Sequence, residues 1–253
     1  MKIGFYGNNI GRLSISQLLL KNNIKVDAVY MDNVQVCVET AVKLGARACF
    51  ELTELTENCD VIIVSVGDDA HRKAILKLSK CDLSGKIVIV ESTSVICDTF
   101  DEIGSDVVAT AFTPDGSTLY IEGKGSGFID FRRYLSENGV GINNISPRDK
   151  EKYDLAMFYV ESGISTLVAT TREMMGDVEN FDDIVMANAQ NALISGGKAN
   201  IVDRFDVGAI RRYNENARGN NLAVYQTLVL KALETADLSA DEKERIKSII
   251  IGR

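Results

Sequence analysis

Tryptophan is missing from these 253 residues, proline occurs twice and histidine once. Each scarcity excludes something. With His71 as the sole histidine, no His/Cys set of zinc-ligand spacing can be written, and no metal is expected. Lys and Arg number 28 against 36 Asp and Glu, a formal charge of −8 that leaves no basic surplus to neutralise phosphates. A single-strand binder would also interleave stacking aromatics with basic residues, so no nucleic-acid partner is expected. No apolar run approaches the roughly 18 residues of a membrane span, and the first residues run into a strand without a secretory-signal profile. Cys37, Cys49, Cys59, Cys81 and Cys97 are odd in number and contain no C-x-x-C, which suits reduced, buried thiols better than disulfides. The expectation is a cytoplasmic protein with no membrane partner.

What is present is an alternation. Lys2–Tyr6 reads as a strand and Gly11–Asn22 as a helix with Leu13, Leu18 and Leu19 on one face. Val26–Met31 is a second strand, Val34–Leu44 a helix closed by Gly45, and Ala46–Phe50 a short strand before the polar TELTEN stretch. DVIIVSVGDDA then supplies a continuous apolar run of the kind buried on both faces of a sheet. Ala70–Leu78 is a helix, and KIVIVES and DVVATAF are further strands. Strands alternating with helices of about ten residues predict an α/β, doubly wound, mostly parallel Rossmann-like sheet. Thr113-Pro114-Asp115-Gly116 is a turn with proline at its second position.

The pattern changes at Ser146-Pro147-Arg148-Asp149, a helix start with Ser as cap, Pro at the first position and an acidic residue at the third. Beyond it only helices are expected: Lys150–Met175, Asp183–Leu193, Val207–Arg218, Asn221–Ala236 and Asp241–Ile251. The expected organisation is a nucleotide-binding domain over 1–146 and an all-helical substrate and dimerisation domain over 147–253. The stripe Leu155, Phe158, Ile164, Leu167 and Val168 is too apolar for a small lone bundle, so a homodimer through these helices is expected.

The first strand opens onto Gly7-Asn8-Asn9-Ile10-Gly11-Arg12. A dinucleotide fingerprint, G-x-G-x-x-G, uses its first glycine for the turn, its second for close approach to the pyrophosphate and its third for helix packing. In register, Asn9 replaces the second and Arg12 the third; with a loop one residue shorter, Gly11 becomes the last glycine. Asn tolerates positive φ better than other side chains, so the turn survives the change. Asp32 closes the second strand, where an acidic residue meets a ribose hydroxyl. That favours NAD over NADP, although Arg12 reverses the choice if it pairs with a 2′-phosphate. A Rossmann-like scaffold that no longer binds a dinucleotide stays open as the alternative.

At DVIIVSVGDDAHRKAI the chain resembles the pyrroline-carboxylate reductases and the uncharacterised Rossmann-like proteins related to them, whose strand ends in V-P-D or V-x-D; here it reads Val66-Gly67-Asp68-Asp69. Thr113-Pro114 followed by LYIEGKG resembles that family's His-Pro and I-E-G segment. KYDLAMFYVESG resembles its Tyr-His-Ala-Ala and Ser-Asn segment, and NARGNNLAVYQTLVLKAL its Ala-Arg-Gly-Asp segment. The resemblance spans nearly the whole chain, although each motif is short. It implies a Rossmann domain followed by a helical, dimer-forming domain of the 6-phosphogluconate-dehydrogenase C-terminal type. It also implies hydride transfer between NAD(P) and a small anionic carbonyl or imine. Three family positions differ: Thr113 and Asp154 replace histidines, and Ser162 replaces asparagine. Each change removes a group suited to proton transfer or polar contact.

Candidate residues follow from both readings. Gly7, Asn8, Asn9, Ile10, Gly11, Arg12, Asp32, Val66, Gly67 and Asp68 are the cofactor-binding set. Ser92, Thr93 and Ser94, after Glu91, stand at the carboxyl edge of a strand, where related hydroxyacid dehydrogenases contact substrate; a hydroxyl-rich helix cap explains them equally. Those dehydrogenases place a catalytic lysine near Lys150 and Lys152, and Lys152, Ser92 and Glu161 are the catalytic candidates, against a solvated lysine and an exposed carboxylate as plain readings. Arg218 and Asn220 offer a fork and a helix start for an anionic substrate, or a simple interhelical turn. His71 reads as a surface residue or cap. A non-catalytic ligand-binding protein and a transferase with another adenosine-containing cofactor remain alternatives to the oxidoreductase.

Overall fold

The computed structural model describes residues 1–7, 14–95, 107–123, 125–198 and 200–252, and the chain divides into two compact units, Met1–Val160 and Glu161–Arg253. The first is built on one eight-stranded sheet. Its strands are β1 Ile3–Gly7, β2 Ala28–Tyr30, β3 Arg47–Cys49, β4 Val61–Ser65, β5 Ile87–Glu91, β6 Val107–Phe112, β7 Thr118–Gly123 and β8 Gly141–Asn144. They lie in the order β3-β2-β1-β4-β5-β6-β7-β8. All pairs are parallel except β6 with β7, which run antiparallel from Phe112 opposite Tyr120 to Ala109 opposite Gly123. This is the doubly wound α/β fold that the alternation predicts.

The central strands are buried along their whole lengths, as their unbroken Val/Ile runs require. Side chains alternate between two cores. Phe5, Ile63, Ile89 and Ala111 point to one face, under α1 (Ile15–Lys21), α2 (Val34–Leu44) and α5 (Ser126–Glu137). Tyr6, Ile62, Val64 and Val90 point to the other, under α3 (Leu52–Asn58) and α4 (Asp68–Leu78). Local signals set the helix ends. Asn33 caps α2 by accepting from the Val36 amide, and Gly45 closes it in the left-handed conformation at φ 63°.

Several elements depart from expectation. TELTEN is helical as part of α3, because Leu55 is buried against the sheet and outweighs its polar flanks. The strands β7 and β8 and helix α5 lie between the turn at Thr113–Gly116 and Pro147, where the alternation signalled no further elements. α5 carries its own apolar face, with Phe128, Phe131 and Leu135 buried, whereas β8 reads GINN and is mostly exposed. The expected single helix Lys150–Met175 is three pieces: α6 Pro147–Phe158, a π-helical turn Tyr159–Gly163, and α7 Ile164–Met175. Ser146 does cap α6, accepting from the Asp149 amide at 3.2 Å.

Lys150 fixes α6 to the sheet. It is fully buried; its ammonium donates to the Val95 carbonyl and, at 2.6 Å, to Thr110 Oγ1 on β6, and Thr110 donates onward to Glu122 on β7 at 3.1 Å. One turn later Tyr153 packs on Phe112 and Tyr120, ring centres 5.1 and 5.4 Å away. These contacts place α6 in the first compact unit, whose boundary falls within the π turn.

The second unit contains α7, α8 (Phe181–Ile194), α9 (Val207–Asn216), α10 (Gly219–Thr235) and α11 (Ala240–Ile251). Its core is Val202, Ile210, Val229, Leu233, Ile246 and Ile250, gathered by α9, α10 and α11. The helices α7 and α8 contribute almost nothing to it: α7 buries no residue and α8 only Phe181. No helix among the described residues is long and apolar enough to cross a membrane.

Lys150→Ala is expected to lower stability by about 1–3 kcal/mol, because it strips buried acceptors of their donor. Lys152→Ala is expected to change it by less than about 0.5 kcal/mol, since its pair with Asp149 is exposed. Urea denaturation of both variants measures the difference.

Candidate functional site

The chain leaves β1 for β2 and β3 on one side, then crosses to β4 on the other. This reversal opens a crevice at the carboxyl ends of β1 and β4, the place where open α/β sheets take ligands. Gly7 ends β1 at φ 120°, and a Cβ there would lie 2.0 Å from the Ser65 carbonyl oxygen. Only glycine fits this crossing. A cavity of about 320 Å³ opens beside it, lined by Tyr6, Gly7, Asp32, Val66, Gly67 and Lys73 among others. Four of the sequence-predicted cofactor residues, Gly7, Asp32, Val66 and Gly67, therefore meet at one cavity, and Asp68 begins the helix that follows Gly67. Asn8, Asn9, Ile10, Gly11 and Arg12 lie outside the described residues.

Asp32 stands two residues beyond β2, as its sequence position implied, but it is already engaged. Lys77 of α4 donates to both of its oxygens, at 2.6 and 2.7 Å, and the Tyr30 hydroxyl donates at 3.3 Å. The Lys77 hydrogen bond holds the Asp32 carboxyl below its ordinary range. Nothing near Asp32 in sequence signals Lys77, which arrives from a helix 45 residues later.

Next to the crevice lies a carboxylate that the sequence reading left without a role of its own. Glu91 ends β5 with 8% of its surface exposed. It accepts from the Ile15 amide at 2.7 Å, at the start of α1, and from the Ser65 hydroxyl at the end of β4. Burial pushes its carboxyl up from 4.5 to about 6, against the opposing pull of those two hydrogen bonds.

The hydroxyls after Glu91 divide. Ser92 is buried and folds back on its own turn, accepting from the Ser94 and Val95 amides at 3.2 Å each and lying 3.2 Å from the Ser94 hydroxyl. Its hydroxyl is taken up within that turn. Thr93 reaches outward, and its hydroxyl donates to Asp154 on α6. Asp154, at a position where the resembled family has histidine, is thus brought to the carboxyl edge of the sheet. A carboxylate–hydroxyl pair there is able to hold or pass a proton.

The remaining candidates sit apart. Lys152 is exposed and bridges Asp149 at 3.2 Å, whereas Lys150, two residues earlier, takes the buried position. Glu161 is exposed in the π turn. Arg218, in the second unit, donates to the carbonyls of Glu215 and, at 2.8 Å, Ala217, and Asn220 is exposed in the first turn of α10. His71 is buried on α4 with 2% of its surface exposed, not at the surface. Cys37, Cys49 and Cys59 are free, buried thiols, and no cluster of His, Cys, Asp and Glu among the described residues could hold a metal ion.

No protein-family model and no curated protein sequence matches the chain. Solved structures do. A candidate NADP oxidoreductase from Bacteroides fragilis aligns over 94% of this chain and 98% of its own, at a TM-score of 0.69 and 14% identity. A pyrroline-5-carboxylate reductase from Streptococcus pyogenes aligns over 100% and 97%, at 0.59 and 14%. A reductive aminase from Aspergillus terreus, solved with NADPH and ethyl-5-oxohexanoate, aligns over 99% and 92%, at 0.59 and 14%. The fold is the one these reductases share, in keeping with the resemblance in the sequence.

The buried carboxylate gives the site a pH signature. Unfolded, Glu91 releases its proton near 4.5; folded, near 6. The folded state holds the extra proton between these values, so this contribution is complete below pH 4.5 and is lost as pH rises through 6. Its size is about 2 kcal/mol. Glu91→Gln keeps a carbonyl acceptor for Ile15 and is expected to flatten the slope. Urea midpoints of wild type and variant from pH 4.5 to 7 measure it; parallel slopes would refute the assignment.

Proposed function

We propose that the chain is an NAD(P)-dependent oxidoreductase that transfers hydride to or from a small carbonyl or imine compound. The observation that carries this reading is the cavity at the strand-order reversal. There a glycine that tolerates no side chain, an acidic residue after β2 and the Val66-Gly67 turn face one another. The residues fit a dinucleotide: Tyr6, Val66 and Gly67 line the cavity where an adenosine would lie, and Gly7 permits the tight turn at the crossing of β1 and β4 from which a phosphate-binding loop would start. A bound nicotinamide supplies the hydride. The neighbours solved with NADPH or NADP+ support NADP at least as well as NAD, so the preference for NAD drawn from Asp32 alone has no support.

In this reading the protein's own work at the reacting end falls to the loop after β5. Thr93 orients the substrate's heteroatom, and Asp154, hydrogen-bonded to Thr93, holds the proton that joins or leaves it. Ser92 shapes the turn that presents Thr93. Lys152 and Glu161, both exposed, have no part in the step as drawn. Arg218 and Asn220, on the helical unit, are not used in this step.

The helical unit is proposed to form a homodimer. Ile164, Leu167, Ile184 and Leu193 line a groove of about 750 Å³ between α7 and α8, and Leu193 and Ile194 are more than four-fifths exposed. A patch of this kind marks an interaction surface.

Two measurements test the proposals. NADPH or NADH at a hundred times its Kd is expected to stabilise the protein by about 2.7 kcal/mol, read as a rise in Tm, and cyclic imines and ketones should then drive cofactor oxidation. Binding without turnover of any such compound favours the non-catalytic alternative, and no shift with either dinucleotide refutes the reading. Light scattering at micromolar concentration is expected to give twice the chain mass of 27.7 kDa. A single-chain mass would refute the dimer.

A further inference from the structure

We propose that Lys73 and Lys77 of α4, acting with Asp32, form a site for a phosphate monoester on the adenosine ribose and so select NADP(H) over NAD(H). This rests on the dinucleotide reading above and names the feature that sets cofactor choice. Residues 73 and 77 stand one helical turn apart, so both side chains leave α4 on the same side. Lys73 lines the cavity together with Asp32 and Asn33, and Lys77 clasps Asp32 through both carboxylate oxygens. Lys73 is exposed and Lys77 partly so, which leaves both ammoniums within reach of a ligand.

The charges decide the outcome. A lone carboxylate at the end of β2 accepts a ribose hydroxyl and repels a 2′-phosphate. Here one carboxylate faces two ammonium groups, for a local charge of +1. Asp32 is committed to Lys77 and to the Tyr30 hydroxyl. A phosphate dianion entering this corner gains charge-assisted hydrogen bonds from both lysines, while the neutralised Asp32 repels it little. A bare ribose hydroxyl gains none of this and must compete with Lys77 for the carboxylate. The cations come from the helix after β4, not from the turn after β2, which is why residues next to Asp32 give no hint of the preference.

The test separates this inference from the reading beneath it. Wild type, Lys73→Ala, Lys77→Ala and Asp32→Asn are titrated calorimetrically with 2′,5′-ADP and 5′-AMP, and then with NADPH and NADH. Wild type is expected to bind 2′,5′-ADP about tenfold or more tightly than 5′-AMP, with a difference that shrinks as salt is raised. Each lysine variant should cut that ratio to about threefold or less, and Lys77→Ala should tighten NADH by freeing Asp32. Asp32→Asn should widen the ratio. Because a ratio is read, a loss of folded protein affects both probes alike and leaves it unchanged. Equal affinity for the two probes in wild type, or lysine variants with an unaltered ratio, overturns the proposal while leaving dinucleotide binding intact. Failure of wild type to bind any of the four ligands overturns the dinucleotide reading itself, and this inference with it.

Discussion

Glu91 stands where three elements must be held in register: the end of β5, the end of β4 and the start of α1. Its two oxygens divide the task, one accepting from the Ile15 amide and the other from the Ser65 hydroxyl. A carboxylate buried to this degree is unfavourable unless its lone pairs are matched, and here the donors come from two other stretches of chain, α1 and β4. The Ser65 side chain is fixed by Glu91 while its carbonyl presses against Gly7, so the crossing at the crevice inherits its rigidity from the same carboxylate. The requirement for glycine at position 7 comes from the Ser65 carbonyl, and the start of α1 is tied to the sheet by the Ile15 amide. The crevice is a product of strand order, and Glu91 ties together the ends of β4 and β5 and the start of α1 beside it.

A second polar seam governs the other half of the sheet. Across β1, β4 and β5 the face under α3 and α4 is purely apolar; on β6 and β7 that face carries Thr110, Phe112, Tyr120 and Glu122. An amphipathic helix of ordinary kind would not cover it. α6 does, because it brings Lys150 to the Thr110 hydroxyl, which in turn donates to Glu122, and Tyr153 to the rings. The same docking carries Asp154 to Thr93. A structural lysine and a candidate proton-handling carboxylate are thus placed by one helix, one turn apart.

These two seams explain what was legible in the sequence. The strands and helices of the sheet's centre declare themselves through local periodicity: VIIVS and IVIVE are apolar on both faces, and VQVCVETAVKL ends at Gly45. Gly7, Asp32, Val66 and Gly67 are found by their distance from strand ends, which topology then brings together. What was not legible depends on partners remote in sequence. Lys77 reaches Asp32 across 45 residues, Glu91 reaches Ile15 across 76, and Lys150 reaches Thr110 across 40. No local pattern distinguishes Lys150 from Lys152; only the face of α6 that meets the sheet does. The elements β7, α5 and β8 escaped for a different reason, since the antiparallel turn at β6 breaks the strand–helix rhythm on which the reading relied.

The helical unit shows the limit of local pattern from the other direction. The apolar stripe was legible residue by residue, and Leu155 and Phe158 on α6 of the first unit and Ile164 and Leu167 on α7 of the second are all exposed. Periodicity reports that a helix has an apolar face; it does not report what covers that face. In α9, α10 and α11 the cover is intramolecular, and Ile210, Val229, Leu233 and Ile246 are buried as their spacing demands. In α7 and α8 the same kind of sequence stays exposed among the described residues, with only Phe181 buried. Burying one such side chain is worth about 1.5–3 kcal/mol, so a row of them left in water is a strong driving force for association. The difference between the buried and the exposed apolar faces of this unit is therefore one of geometry, and the amino-acid pattern is the same in both.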